Sequence, residues 1–275
     1  LQLESHDIRL PSRQSEFTLF AFGDMHIANK AFDLSHFKKL IQRIQDTPLS
    51  LWVGMGDFGD SIGPRDKRFE QENLRPLYRE NISRIYQEEA WELKELLTPV
   101  ADKSLGLVES NHAKKAKKDN SFDLTHELCT HFGWANLRSC ALVRMHFLRS
   151  TTATYNLDLF VAHGYGGGRK WGGKMNKIAD IASGIRADIY LMGHLHSCGV
   201  LKEIELSLPS SGELHLIQKE RIGCLVPSFF RSYQEGVDTY ASEQLYPPSA
   251  IGWTEIKVRL ESAGGKDKLA VKTVI

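Results

Sequence analysis

Apolar residues in this chain collect into short runs that break off at Gly, Asp, Asn or His. Phe20-Ala21-Phe22 runs into Gly23-Asp24-Met25-His26, and Leu51-Trp52-Val53 into Gly54-Met55-Gly56-Asp57. Leu105-Gly106-Leu107-Val108 is followed by Glu109-Ser110-Asn111-His112, Leu157-Asp158-Leu159-Phe160-Val161-Ala162 by His163-Gly164, and Ile189-Tyr190-Leu191-Met192 by Gly193-His194-Leu195-His196. Short apolar runs bounded by glycine read as buried strands. Side chains on a strand alternate with period two, so Asp24 and His26 leave their strand end on the same side.

Between the runs the period changes to that of a helix. Asp33 can cap a helix whose apolar face is Leu34, Phe37, Ile41 and Ile44, closed by Pro48. Residues 61–76, charged and punctuated by Gly63, Pro64 and Pro76, read as a loop. A long helix is expected next, with Ile82, Ile85, Tyr86, Leu93, Leu96 and Leu97 on one face and Pro99 at its end. Another is expected over 120–133, from an Asn120 or Ser121 cap to Gly133. Residues 165–173 read as a glycine-rich loop, with a helix from about Lys174 to Ser183. Beyond His196 the alternating stretches 200–208, 213–218 and 222–226 predict antiparallel strands. Residues 227–250 read as an irregular aromatic segment, and Ile251–Leu260 and Leu269–Val274 as final strands. Residues 1–16 are expected to be an edge strand or arm. With no internal repeat or linker, the chain reads as a single domain over 1–275, with metal motifs in 20–196 and a mostly β part over 197–275.

Two lesser motifs carry little. His126 and His131 sit five apart, so they diverge around a helix and do not form the i, i+4 pair of a zincin. The glycine-rich loop lacks Gly-Lys-Ser/Thr and is not a P-loop.

A lone histidine usually packs in a core or bonds to backbone. Seven ligand-type residues at five strand ends are a different matter, because carboxylate, carboxamide and imidazole groups together suit divalent cations. The ordered set D-x-H, G-D, N-H, H and G-H-x-H, from Gly23 to His196, resembles the calcineurin-like metallophosphoesterase superfamily. That resemblance implies an α/β fold of two packed mixed β-sheets flanked by helices. It implies two divalent metal ions, with Asp24, His26, Asp57 and His196 on the first. Asp57, Asn111, His163 and His194 would hold the second, with Asp57 shared. Cations about 3.5–4 Å apart would lower the pKa of a shared water toward roughly 7, for in-line attack on phosphorus. His112 would serve the leaving group. Mn, Fe and Zn all tolerate such a mixed ligand set, with Mn favoured.

The chain departs from the family pattern at two positions. Ser110 stands where G-N-H has Gly, and Ala113 where an acidic partner for the preceding histidine is common; Asp60 is the candidate replacement. Ser61 and Ile62 follow Asp60, so the D-R-G pattern of Ser/Thr protein phosphatases is absent.

Substrate expectations come from local charge. Lys plus Arg is 35 against 34 acidic residues, so net charge points to no polyanionic partner. Lys114, Lys115, Lys117 and Lys118 follow His112, however, and Arg169, Lys170, Lys174 and Lys177 follow His163. A basic rim there would draw nucleotides or nucleic acid, with Tyr165 or Trp171 stacking on a base; a solvated lysine face is the alternative. The expected activity is hydrolysis of phosphodiesters of nucleotides or nucleic acid. A broad-specificity phosphomonoesterase and a catalytically inactive scaffold of the same fold are the alternatives. Four cysteines without C-x-x-C spacing, no apolar run of membrane-spanning length and no signal-peptide pattern in Leu1-Gln2-Leu3-Glu4 lead to a cytoplasmic expectation, although the sequence has no initiator Met.

Overall fold

The computed structural model describes all residues except 61, 65, 67, 68, 112–116, 118–120, 151, 152, 236–238, 244, 264, 265 and 275. Two mixed sheets face each other. One has six strands in the order β1-β5-β6-β7-β9-β8, formed by β1 (Gln2–Arg9), β5 (Cys140–Leu148), β6 (Thr154–Ala162), β7 (Ile189–Met192), β8 (Gly199–Ser207) and β9 (Ile217–Leu225). The other has five in the order β11-β10-β2-β3-β4, formed by β2 (Glu16–Phe22), β3 (Ser50–Gly54), β4 (Ser104–Leu107), β10 (Thr254–Ala263) and β11 (Lys266–Val274). Helices among the described residues include α1 (Leu34–Gln45), α2 (Pro76–Arg79), α3 (Ile85–Leu97), α4 (Leu124–Phe132), α5 (Trp171–Gly184) and α6 (Tyr240–Glu243).

Strand alternation divides the apolar residues into layers. Leu19, Ala21 and Val53 of one sheet meet Val143, Leu159 and Leu191 of the other in a core between the sheets. Phe20, Phe22 and Trp52 point the opposite way, against Phe37 and Leu40 of α1, Leu93 of α3 and Leu128 of α4. Phe160, Tyr190 and Met192 are covered by Met175, Ile178 and Ala182 of α5. Helices thus flank both outer faces, which is the fold class expected from the sequence.

Local chemistry fixes the elements that matter for the site. Asp33 caps α1 by accepting from the backbone N–H of His36 at 3.0 Å. The cap of α4 is Asp123 rather than Asn120 or Ser121, and Gly133 closes that helix in the left-handed region. His126 and His131 lie exposed on α4. The expected long helix is split: α2, a 3₁₀ turn at Ile82–Arg84 and α3 replace it, and the 3₁₀ stretch Thr98–Lys103 contains Pro99. Helix α5 begins at Trp171, so Gly172 and Gly173 are helical and not loop. The three short stretches expected after His196 are two longer strands, β8 and β9. Strand β5 was not anticipated, although its buried residues Ala141, Val143, Met145 and Phe147 alternate.

Strands β2, β3 and β4 run parallel in one sheet, and β6 and β7 run parallel in the other. The ligand-type residues follow the carboxyl ends of these five strands, where open α/β sheets bind ligands. Among the described residues no helix is long and apolar enough to cross a membrane.

Candidate metal centre

Two groups of three ligand-type residues come together, Asp24 with His26 and His196, and Asp57 with His163 and His194. Turn geometry delivers them. Asp24, His26, Asp57, His194 and His196 all have positive φ, between 44° and 66°. That left-handed conformation costs a non-glycine residue on the order of 1–3 kcal/mol and collects at functional sites. The neighbouring Gly56 has φ 92°, and a Cβ there would lie 2.7 Å from His163 Nδ1. Glycine is therefore required for the β3 loop to pass beneath that imidazole.

The hydrogen bonds set which histidine nitrogens face inward. His163 Nδ1 donates to the carbonyl of Met55 at 2.8 Å, leaving Nε2 toward Asp57 Oδ2 at 3.3 Å and His194 Nδ1 at 3.2 Å. His26 Nδ1 faces Asp60 Oδ1 at 3.1 Å, leaving Nε2 toward His196 Nε2 at 3.3 Å. This is the usual arrangement in which an outer oxygen orients a ligating imidazole. Asp57 Oδ2 also lies 3.9 Å from His26 Nε2, so one carboxylate oxygen faces both groups.

These residues fit a pair of cations. The inward nitrogens of each pair can share one N–H proton, or give it up and present both lone pairs to a cation between them. Bonds of about 2.0–2.2 Å to one ion would set its ligand atoms roughly 3–3.5 Å apart. Asp24 is fully buried, and its Oδ1 has no hydrogen-bond partner among the described residues. Such an oxygen is costly unless a cation meets it. Burial is the largest influence on the Asp24 carboxyl and pushes its pKa up to about 7.

The other expected site residues fall out differently. Asn111 is exposed, whereas Asp57 and His163, which it is expected to join, are buried. His112, Lys114, Lys115 and Lys118 lie outside the described residues. Lys117 pairs with Asp123 at 2.8 Å, at the head of α4. Arg169 lies over the ring of Tyr246, 5.3 Å from its centroid, and Lys170 is exposed at the start of α5. Lys177 lies over Tyr165. Lys174 Nζ donates to the carbonyl of Leu195 at 3.0 Å and to Ser197 Oγ at 2.5 Å, which ties it to the loop carrying His194 and His196.

Asp60, the candidate partner of His112, is engaged with His26 and also accepts from Asn29 Nδ2 at 3.2 Å. Its own backbone N–H donates to the buried Glu89 at 2.8 Å. The sequence offers Asp60 as a partner for His112, but the fold pairs it with His26, 34 residues earlier. Phe230, which touches the rings of both His26 and His196, carried no sequence signal beyond its aromatic surroundings.

No protein-family profile matches the chain, and no curated protein matches it in sequence. Among solved structures it is similar to Vps29 from Chaetomium thermophilum, at 10% identity and a TM-score of 0.37, covering 94% of this chain and 95% of that one. It is similar to a predicted phosphoesterase from Streptococcus pneumoniae, at 11% identity and a TM-score of 0.36, covering 94% and 99%. A single-mutant Vps29 from Entamoeba histolytica is 12% identical with a TM-score of 0.39, covering 94% and 100%. At such identities and TM-scores, the geometry of the site has to carry any functional conclusion.

Proposed function

We propose that this chain is a two-metal-dependent phosphoesterase of the calcineurin-like type, acting on phosphodiesters of nucleotides or nucleic acid in preference to monoesters. The observation that carries this reading is Asp57 Oδ2, which faces both His26 and His163 and so stands between the two ligand groups. Asp24, His26, Asp57 and His196 would hold one ion; Asp57, Asn111, His163 and His194 would hold the other. Bound there, two divalent cations, Mn²⁺ favoured, supply positive charge to the phosphate oxygens and lower the pKa of water to roughly 7.

The chain's own residues do the rest. Met55 and Asp60 fix the orientation of His163 and His26. The backbone N–H of His194 holds Asp24 Oδ2 in place. His112 protonates the leaving oxygen, and Arg169 and Lys170, with Lys114 and Lys115, attract the anionic substrate.

The test compares bis-p-nitrophenyl phosphate, p-nitrophenyl phosphate, cyclic nucleotides and single- and double-stranded DNA as substrates of Mn²⁺-loaded protein, with Asp57→Asn as control. Diester hydrolysis that falls ~10²-fold or more in Asp57→Asn, with both metals depleted, supports the reading. A fully folded protein that takes up no metal and hydrolyses none of these esters would favour the scaffold instead.

A further inference from the structure

Beside the metal groups the chain encloses a cavity of about 670 Å³. That lies within the roughly 300–1,000 Å³ of pockets that bury most of a drug-sized ligand. His26, Asp57, His194 and His196 line it, and apolar wall is supplied by segments distant in sequence, Phe69 and Leu74 on one hand, Phe230, Tyr246 and Pro247 on the other.

Phe230 joins the metal groups to that wall. Its ring stands edge-on to His26, with centroids 5.6 Å apart, and tilted against His196 at 5.8 Å. The backbone around it is pinned. Phe230 bridges to Phe32, Arg231 N–H donates to the carbonyl of Ala31 at 2.8 Å, and the Arg231 guanidinium pairs with Asp33 at 2.6 Å. Tyr246 is held through its backbone as well. Its N–H donates to Ala241 at 2.9 Å, and its carbonyl accepts from the Tyr233 hydroxyl at 2.6 Å. The aromatic wall is thus built in advance, so an occupant need not order it.

The charge of the lining restricts what fits. Apart from Asp60 and the metal-group residues, the charged side chains among the described lining residues are Glu70, Glu243 and Lys174, and the guanidinium of Arg169 covers one face of the Tyr246 ring. Lys174 is already bonded to Leu195 and Ser197. A second phosphate, or a polyanionic strand threaded through the cavity, would meet two carboxylates, one committed ammonium and a guanidinium stacked on Tyr246. An uncharged ring would meet aromatic and aliphatic side chains instead.

Resting on the phosphoesterase reading, we infer that this cavity receives the organic part of a small phosphate ester, an uncharged, ring-bearing group of about nucleoside size, and that Phe230 and Tyr246 set specificity for it. The phosphate then lies at the metal end and the ring against the aromatic wall.

The test is calorimetric binding of thymidine 5′-monophosphate and of methyl phosphate to Mn²⁺-loaded protein. The two ligands share the phosphate and differ in the ring-bearing group. The expected preference for the nucleotide is about tenfold or more, the scale of one base stacked on an aromatic side chain. It should fall to within about threefold in Tyr246→Ala and in Phe230→Leu, the latter keeping an apolar group against His26 and His196. Metal content is measured in both variants, and Tyr246→Ala decides the matter if Phe230→Leu loses metal. Equal binding of the two phosphates by the unaltered protein, or a preference unchanged in Tyr246→Ala, overturns the inference and leaves the phosphoesterase reading intact. Binding of neither phosphate to metal-loaded protein overturns both.

Discussion

The backbone N–H of His194 donates to Asp24 Oδ2 at 2.7 Å, joining the loop after β7 to the loop after β2. The two strands belong to different sheets, so this bond ties the halves of the sandwich together where the metal groups lie. One carboxylate oxygen is thereby occupied, and Oδ1 is left for a cation. Asp24→Asn keeps the shape and can keep the bond to His194, but it removes the charge. It is expected to deplete the ion held with His26 and His196 while the fold persists. Metal analysis and far-ultraviolet circular dichroism on the same sample check this; full occupancy at both positions would contradict the assignment.

The contact between His26 and Asp60 yields a second expectation. Asp60 touches the far side of the imidazole from the proposed ion, so it orients the ligand without binding metal itself. Removal of such an outer carboxylate typically costs about 10–100-fold in metal affinity. Asp60→Asn keeps a hydrogen-bonding group and is expected to lose less than Asp60→Ala. Titration with Mn²⁺ at fixed pH measures both, and equal affinity in Asp60→Ala and the unaltered protein would remove Asp60 from this role.

Protonation supplies a third. Burial works against charge on His26, but the hydrogen bond to Asp60 and the charges of Asp57, Asp60 and Asp24 outweigh it, raising the pKa to about 9 in the metal-free protein. Burial opposes charge on His163 too, and there the hydrogen bond to Asp57, the charges of Asp57 and Asp24 and the Met55 carbonyl raise it to about 9. Asp24, lifted chiefly by burial to about 7, shifts the same way. All three folded values lie above the ordinary 6.5 and 3.8. Stability from the histidines is therefore complete below about pH 6.5 and lost as pH rises through about 9, and Asp24 acts in the same direction between 3.8 and about 7. Metal binding requires neutral imidazole and ionised carboxylate, so it strengthens over the same range. The difference in Tm between Mn²⁺-loaded and metal-free protein should widen from about pH 6 to about pH 9. A gap that stays constant or narrows would show that these groups do not titrate as described.

The candidate ligands were legible in the sequence because each follows an apolar run, and a strand end fixes where its next residues go. Their placement follows from the strand ends, but their division into two groups, Asp24 with His26 and His196 and Asp57 with His163 and His194, is implied by the family resemblance and not by the strand pattern. Strand β5 was harder to see: its alternation of Ala141, Val143, Met145 and Phe147 is present, but no ligand or glycine signal closes it. Helix α5 starts earlier than expected because Gly172 and Gly173, residues of low helix propensity, continue it. In the fold, Trp171 instead packs at the helix start, its indole N–H donating to the carbonyl of Cys198 at 3.3 Å. The cavity wall is not legible in the sequence, since Phe69 and Phe230 come to line one cavity only through the tertiary fold, which no local pattern encodes.

The last expectation concerns His112, which follows Asn111 directly. Neighbouring side chains leave the backbone in different directions whether it is extended or helical, so a chain that gives Asn111 to metal can turn His112 toward the substrate. In-line attack builds negative charge on the departing oxygen. A ribose oxygen needs a proton at that stage, whereas nitrophenolate hardly does. A positioned imidazolium typically contributes ~10²–10⁴-fold to such a step. Ala113 cannot charge or hold this imidazole, and the carboxylate of Asp60 is engaged by His26 and Asn29. The effect is therefore expected near the lower end, about 10²-fold. His112→Asn should slow an ester with a poor leaving group by that factor, while leaving a nitrophenyl ester within a few-fold and both metals in place. Comparable losses on the two esters, or loss of a metal, would assign His112 to the metal centre rather than to the leaving group.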